Sequence, residues 1–141
     1  MCGICGELRF NNTEITNVRI QEMLESIASR GPDNTGQYKD DNIFLGHKRL
    51  SVIDISSKSN QPMEENNLVI VFNGVIFNYK ELRNFLIKEG YKFSSDGDTE
   101  VILKCYEHYG EKLVHHLDGV FYLVFMINKR TNYFVQEIDL E

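Results

Sequence analysis

Apolar residues recur along this chain with changing periods, and each period predicts an element. Residues Ile4 to Phe10 alternate weakly and read as a first strand. Ile20, Met23, Leu24, Ile27 and Ala28 follow the i, i+3, i+4, i+7, i+8 rule, which predicts a helix from about Asn17 to Ser29. Arg30-Gly31-Pro32-Asp33 ends it, since glycine permits a C-terminal cap and proline forbids continuation. Gly36 to Lys39 and Asn42 to Arg49 read as a strand pair around an Asp40-Asp41-Asn42 turn, continued by the β-branched stretch Leu50 to Ile55. Ser56 to Asn67 is polar and loop-like. Leu68 to Phe72 is a continuous apolar run, typical of a strand buried on both faces. Tyr79 to Glu89 places Leu82, Phe85 and Leu86 on one helical side and closes at Gly90. A third helix starts at Asp98 or Thr99, with Val101, Ile102, Cys105 and Tyr109 as its stripe. Gly119 to Ile127 is a second doubly buried strand, with Tyr133 to Val135 as its hairpin partner. Hairpin-linked strands and two separate helical stretches predict an α+β domain of stacked sheets covered by helices.

Composition narrows the class. The chain has 141 residues, 42% hydrophobic and 26% charged, which fits one globular domain and not a disordered segment. A net charge of −6 disfavours nucleic acid as a partner. The longest apolar run, Val120 to Ile127, falls far short of the ~20 residues of a membrane helix. No secretory leader is visible and three cysteines do not form a disulfide framework, so the expected compartment is the cytoplasm. No Walker-type phosphate loop and no Ser-Gly-Gly sequence occurs, so any role for ATP lies outside these residues.

The sharpest chemical feature is Met1-Cys2-Gly3. Removal of Met1 would leave Cys2 with a thiol and a free α-amine of ordinary pKa about 7.7–8.0. Such an amine can take the thiol proton and return it to a leaving group, so one residue supplies nucleophile and base. A small buried cysteine in a first strand is the structural alternative. Cys2-Gly-Ile-Cys5 has C-x-x-C spacing, yet it leads into a strand, where positions three apart face opposite sides. No second tight ligand pair accompanies it, so no metal is expected, and the His115-His116 doublet reads as a solvated helix end.

Further motifs follow in order: Arg30-Gly31-Pro32-Asp33, Gly46-His47-Lys48-Arg49-Leu50-Ser51-Val52-Ile53-Asp54, Gln61-Pro62, Phe72-Asn73-Gly74-Val75-Ile76-Phe77-Asn78-Tyr79, Gly97-Asp98-Thr99-Glu100-Val101 and Leu117-Asp118-Gly119-Val120-Phe121. With the N-terminal Cys2 this set resembles the glutaminase domain of class II glutamine amidotransferases of the asparagine-synthetase type, over roughly residues 1–135. The resemblance implies an N-terminal-nucleophile hydrolase fold, a four-layer αββα sandwich of two antiparallel sheets, spanning residues 1–141 as one domain. It implies hydrolysis of the glutamine side-chain amide through a Cys2 thioester, with Asn73 and the Gly74 N–H as oxyanion hole. It assigns Arg49 to the substrate α-carboxylate and Asp98 to the α-ammonium, and adds Val52 to the substrate-binding set. Taken alone, Asn73-Gly74 is also a hairpin-turn signal, Arg49 a surface strand cation and Asp98 a helix N-cap. Arg30 and Asp33 read as scaffolding near the nucleophile; His47, Asn78 and Asp54 receive no catalytic step. The expected partners are glutamine and a synthetase domain or subunit that takes the ammonia, with self-association left open. No cofactor is expected in this domain; ATP and Mg belong to the synthetase half, expected to be absent from these residues.

Three departures from the pattern matter. Val75 stands where a glutamate commonly helps hold the ammonium, Phe77 replaces a usual tyrosine, and Tyr122 replaces a small residue and calls for local repacking. Residues 71–110 resemble enzymes of the N-acetylglutaminylglutamine amidotransferase kind. A dipeptide acceptor, and a catalytically impaired or regulatory domain, therefore stand as alternatives to asparagine synthesis.

Overall fold

Most apolar faces predicted above find a partner layer, but Val52 and Ile55 stay exposed, and Val120 and Tyr122 leave the 119–127 strand buried on one face and not on both as expected. The structure, a computed structural model, describes residues 1–11, 13–127 and 132–138, with side chains through residue 124. Strands β1 (Gly3–Leu8), β2 (Asn34–Asp40) and β3 (Ile43–Arg49) form an antiparallel sheet in the order β1-β3-β2. Strands β4 (Met63–Glu65), β5 (Leu68–Ile76), β6 (Gly119–Ile127) and β7 (Asn132–Ile138) form a second, ordered β4-β5-β6-β7. Helix α1 (Asn17–Ser26) covers the outer face of the first sheet. Helices α2 (Tyr79–Lys88) and α3 (Asp98–Tyr109) cover the outer face of the second. The expected αββα layering is present.

Alternation along β3 explains the layering. Ile43 and Leu45 face inward and meet Val69 and Val71 of β5 between the sheets. Phe44 faces outward and packs on Ile15, Ile20 and Leu24 beside α1. Along β5, Ile70, Phe72 and Ile76 face the other way, onto Leu86, Ile102 and Leu103 of the helix layer. Thr16 caps α1 by accepting the Arg19 N–H at 3.3 Å.

Several local expectations change. Helix α1 ends at Ser26, and Ala28–Arg30 form one 3₁₀ turn. Gly31 is extended and supplies no left-handed cap. Its role is close approach, because a Cβ there would lie 2.5 Å from the Arg49 carbonyl carbon. Leu50 to Ile55 is a loop, since Val52 and Ile55 are exposed and find no sheet to cover them. Within the predicted 56–67 loop, Met63–Glu65 add an edge strand to β5. Asn73-Gly74 is no turn: β5 runs through both residues to Ile76, pairing Asn73 with Tyr122 and Gly74 with Phe121. Tyr122 is 43% exposed, so its bulk stands at the surface and no core repacking is required.

Leu86 is fully buried in the helix-layer core, whereas Ile87 beside it is half exposed. Leu86→Ala is expected to lower unfolding stability by about 2–5 kcal/mol. Ile87→Ala is expected to change it by less than about 1 kcal/mol. Denaturant titration of both variants checks the layer assignment.

Candidate active site

The loops at one end of the two sheets enclose a cavity of about 270 Å³. Cys2, Arg49, Val52, Asn73, Gly74 and Asp98 all line it. Six residues spread over nearly a hundred positions of sequence thus share one space, because the starts of β1 and α3 and the ends of β3 and β5 open to the same side.

Cys2 precedes β1 and is half-buried. Its sulfur lies against the Leu50 backbone, accepting the Leu50 N–H at 3.3 Å and reaching the Leu50 carbonyl at 3.5 Å. The scaffold around it comes from the Arg30-Gly31-Pro32-Asp33 motif. Arg30 Nε donates to the Cys2 carbonyl at 3.0 Å. Asp33 accepts the Ser51 N–H at 2.7 Å and donates its own N–H to the Arg49 carbonyl at 3.0 Å. The residues on either side of Leu50, which faces the sulfur, are thus held from one short segment. Cys5 points away from this cavity, into the α1 packing, where burial raises its thiol pKa.

Asn73 and Gly74 lie where β5 runs past β6. A Cβ at Gly74 would lie 2.6 Å from Phe121 Cα and would overlap the Val120 carbonyl oxygen, and its φ is +156°. Only glycine lets the strands approach this closely here.

Arg49 is not a surface cation. It is 6% exposed. Its Nη1 donates to the Ser56 carbonyl at 2.7 Å and to Asn60 Oδ1 at 2.8 Å, and Nη2 donates to the Asp54 carbonyl. These oxygens are neutral, and among the described residues no carboxylate pairs with Arg49. A guanidinium has five N–H donors, so two remain for a ligand.

Asp98 is equally buried, at 6% exposure, and is the first residue of α3; Gly97 holds the N-cap position. One carboxylate oxygen, Oδ2, has no hydrogen-bond partner among the described residues. Burial raises the Asp98 pKa, opposed by the N–H groups of Ile76, Asp98 and Thr99. The loop before it is fastened twice. Asp54 accepts from Ser59 Oγ, Ser56 N–H and Asp96 N–H at 2.7, 2.8 and 3.0 Å, which holds its carboxyl well below the usual range. Glu100 accepts the N–H groups of Ser94 and Ser95 at 2.9 and 2.7 Å.

His47 is fully buried in β3, and burial lowers its pKa to about 4, so it is a neutral core imidazole. Val75 also lines the cavity and is 45% exposed, leaving that rim apolar. Phe77 is exposed at 62%, so its missing hydroxyl removes no buried contact. His115 and His116 are exposed at a 3₁₀ helix end as expected, although His116 stacks on Tyr109 at 3.8 Å. The sequence reading passed over Gln61, Leu50 and Thr99 as site members. A polar residue within a polar stretch carries no sign that it will be buried.

Residues 1–137 match the glutamine amidotransferase domain family. The chain belongs to that family. It is 41% identical to asparagine synthetase [glutamine-hydrolyzing] 1 of Bacillus subtilis over 128 residues, covering 86% of this chain and 20% of that protein. It is 38% identical to asparagine synthetase [glutamine-hydrolyzing] 1 of Arabidopsis thaliana over 142 residues, covering 99% of this chain and 24% of that one. The chain therefore spans about a fifth to a quarter of these relatives. A solved structure of glutamine phosphoribosylpyrophosphate amidotransferase from B. subtilis superposes with a TM-score of 0.55 at 20% identity, covering 89% of this chain and 29% of that one. The allosteric regulatory enzyme of purine biosynthesis superposes at 0.59 and 21%, covering 84% and 26%. These two share the fold, that of N-terminal-nucleophile hydrolases. No helix among the described residues is long and apolar enough to cross a membrane.

The unpartnered Asp98 gives a pH signature. At low pH the group is neutral in folded and unfolded chains alike. As pH rises past the ordinary value of 3.8 the unfolded chain ionises first, so the folded state loses relative stability until its own raised pKa is passed. Asp98→Asn removes that loss. Thermal melts are expected to show the variant more stable than the unsubstituted protein at pH 7, with the gap closing toward pH 3.

Proposed function

We propose that this domain hydrolyses the side-chain amide of glutamine through a thioester at Cys2 and passes the ammonia to a synthetase domain or subunit. The observation that carries the reading is the pair of opposite buried charges, Arg49 and Asp98, in one cavity and without ionic partners among the described residues. A free α-amino acid brings both missing partners, a carboxylate for Arg49 and an ammonium for Asp98. Burying either charge unpaired is costly, and one zwitterion relieves both costs together.

The chemistry then runs through Cys2. With Met1 removed, its α-amine takes the thiol proton and the sulfur attacks the amide carbon. The carbonyl oxygen becomes an oxyanion, received by the Asn73 side chain and the Gly74 N–H. Collapse breaks the C–N bond, the protonated amine returns its proton to the leaving nitrogen, and ammonia departs. Water, deprotonated by the same amine, attacks the thioester and releases glutamate and free Cys2. Val52 and Val75 border the substrate and keep that wall apolar.

The ammonia's destination is read from the relatives, which carry three quarters or more of their length beyond the matched region. ATP-dependent amidation of aspartate is the reading that their names favour. The dipeptide acceptor stands as second reading, because the enzymes of the N-acetylglutaminylglutamine amidotransferase kind that residues 71–110 resemble also lack a glutamate at the place of Val75. Both readings place ATP and Mg in the synthetase half and none in this domain.

The N-terminal residue of the protein, determined by mass spectrometry, is expected to be Cys2. Glutamine-dependent ammonia release is expected from that form and not from Cys2→Ala. Asn73→Ala is expected to lower kcat by about 10²–10³. Processed, folded protein that releases no ammonia and takes no label at Cys2 from a glutamine-like electrophile overturns the proposal.

A further inference from the structure

Gln61 is 6% exposed, lies in the segment before β4 and sits between the two sides of the cavity. Its Oε1 accepts the Phe72 N–H at 2.6 Å, and its Nε2 donates to Thr99 Oγ1 at 3.1 Å. Phe72 immediately precedes Asn73 and Gly74 on β5. Thr99 immediately follows Asp98 on α3 and is itself 4% exposed.

The need for this bridge follows from the sheet. Strand β4 is short and pairs with β5 only from Leu68 to Ile70. Beyond Ile70 that edge of β5 has no strand beside it among the described residues, yet Phe72 is buried, and its N–H would cost free energy if left unpaired. The Gln61 side chain takes the place of the missing strand. The amide orientation is fixed by chemistry, because the Phe72 N–H can only donate and must meet the amide oxygen. The NH₂ end is thereby turned to the Thr99 hydroxyl. The Gln61 carbonyl lies so close to Gly36 of β2 that a Cβ there would overlap it, so β2 bounds the Gln61 backbone on that side.

We infer that Gln61 is a positioning residue: its buried amide sets the spacing between the Asn73–Gly74 segment of β5 and the Asp98 start of α3. The inference rests on the proposed glutamine site. The bridge acts unequally on its two sides. The β5 side is also held by continuous pairing with β6, whereas the Asp98 side is held by individual hydrogen bonds, to Asp54 and Glu100 from the segment before it and from Gln61 to Thr99. Cutting the Thr99 end alone therefore moves the ammonium acceptor and leaves the oxyanion donors in place. Cutting the whole bridge also orphans the Phe72 N–H next to Asn73.

The test is glutamine kinetics of the full-length protein with four substitutions. Thr99→Val is expected to raise KM about five- to tenfold, the loss of one buried hydrogen bond, with kcat within about twofold. Thr99→Ser, which keeps the hydroxyl, is expected to hold KM within about twofold. Gln61→Met is expected to raise KM at least as much and to lower kcat as well. The double variant Gln61→Met/Thr99→Val is expected to show the KM of Gln61→Met alone, since both cut one bridge. Equal KM for Thr99→Val and Thr99→Ser overturns the inference, as does a Thr99→Val variant that loses thermal stability with unchanged KM. KM effects that multiply in the double variant also overturn it, because Thr99 then acts on the substrate independently. Should Gln61→Met fail to fold, the Thr99 pair still decides. An unsubstituted protein that neither binds nor turns over glutamine overturns the proposed function and this inference together; normal turnover with indifferent Thr99 variants overturns this inference alone.

Discussion

The Arg49 guanidinium at the end of β3 is held by three neutral oxygens of the loop that follows it: the Ser56 and Asp54 carbonyls and Asn60 Oδ1. That one buried cation organises the cavity. It draws the 50–60 loop over the end of the first sheet, and the loop brings the Leu50 backbone against the Cys2 sulfur. It also brings Asp54 to the segment before α3, through the Asp96 N–H. A cation this deep is tolerable because carbonyl dipoles surround it, yet dipoles do not neutralise it. The site is therefore electrically unfinished. Asp98 is unfinished in the opposite sense, with one carboxylate oxygen buried and bare. The proposed zwitterionic substrate would supply the missing partner to each of them.

Chemistry and scaffold come from different layers. The two sheets supply rigid ends, with β3 delivering Arg49, β5 delivering Asn73 and Gly74, and β1 delivering Cys2 from its first turn of chain. The helix layer supplies Asp98 through the start of α3, where backbone N–H groups favour a carboxylate. Helix α3 is unusual in being buried along its first eight residues, charged ones included. Lys104 is paired with Glu65 and Glu107, and Glu100 accepts hydrogen bonds from the Ser94 and Ser95 amides. Burial along this first part of the helix suits an element whose first residue must stay in register with a strand on another layer.

Much of this was legible in the order of residues. Weak alternation located β1, a turn flanked by strand-like stretches located β2 and β3, continuous apolar runs located β5 and β6, and period-3.6 stripes located all three helices, because each has apolar surface that must leave water. The motif set placed Cys2, Arg49, Val52, Asn73, Gly74 and Asp98 together, and all six line one cavity. Failures came where local signals compete with tertiary ones. Asn-Gly is a strong turn signal, yet at 73–74 the glycine serves close passage of β5 beside β6. The β-branched stretch 50–55 looks like a strand, yet the Arg49 hydrogen bonds pull it into a loop. Met63–Glu65 looked like loop because a three-residue edge strand has no period to read.

By itself, the sequence determined the layers, the family and the chemical types at the site, since apolar periodicity and motif spacing are properties of the chain taken one residue after another. Only the tertiary structure decided which polar groups are buried and what each one touches. Arg49 could have been a surface cation and Gln61 a loop amide; packing made the first an unpaired buried charge and the second a bridge between β5 and α3. The reason is that desolvation and hydrogen-bond geometry depend on neighbours distant in the chain, and those neighbours exist only after the sheets have stacked.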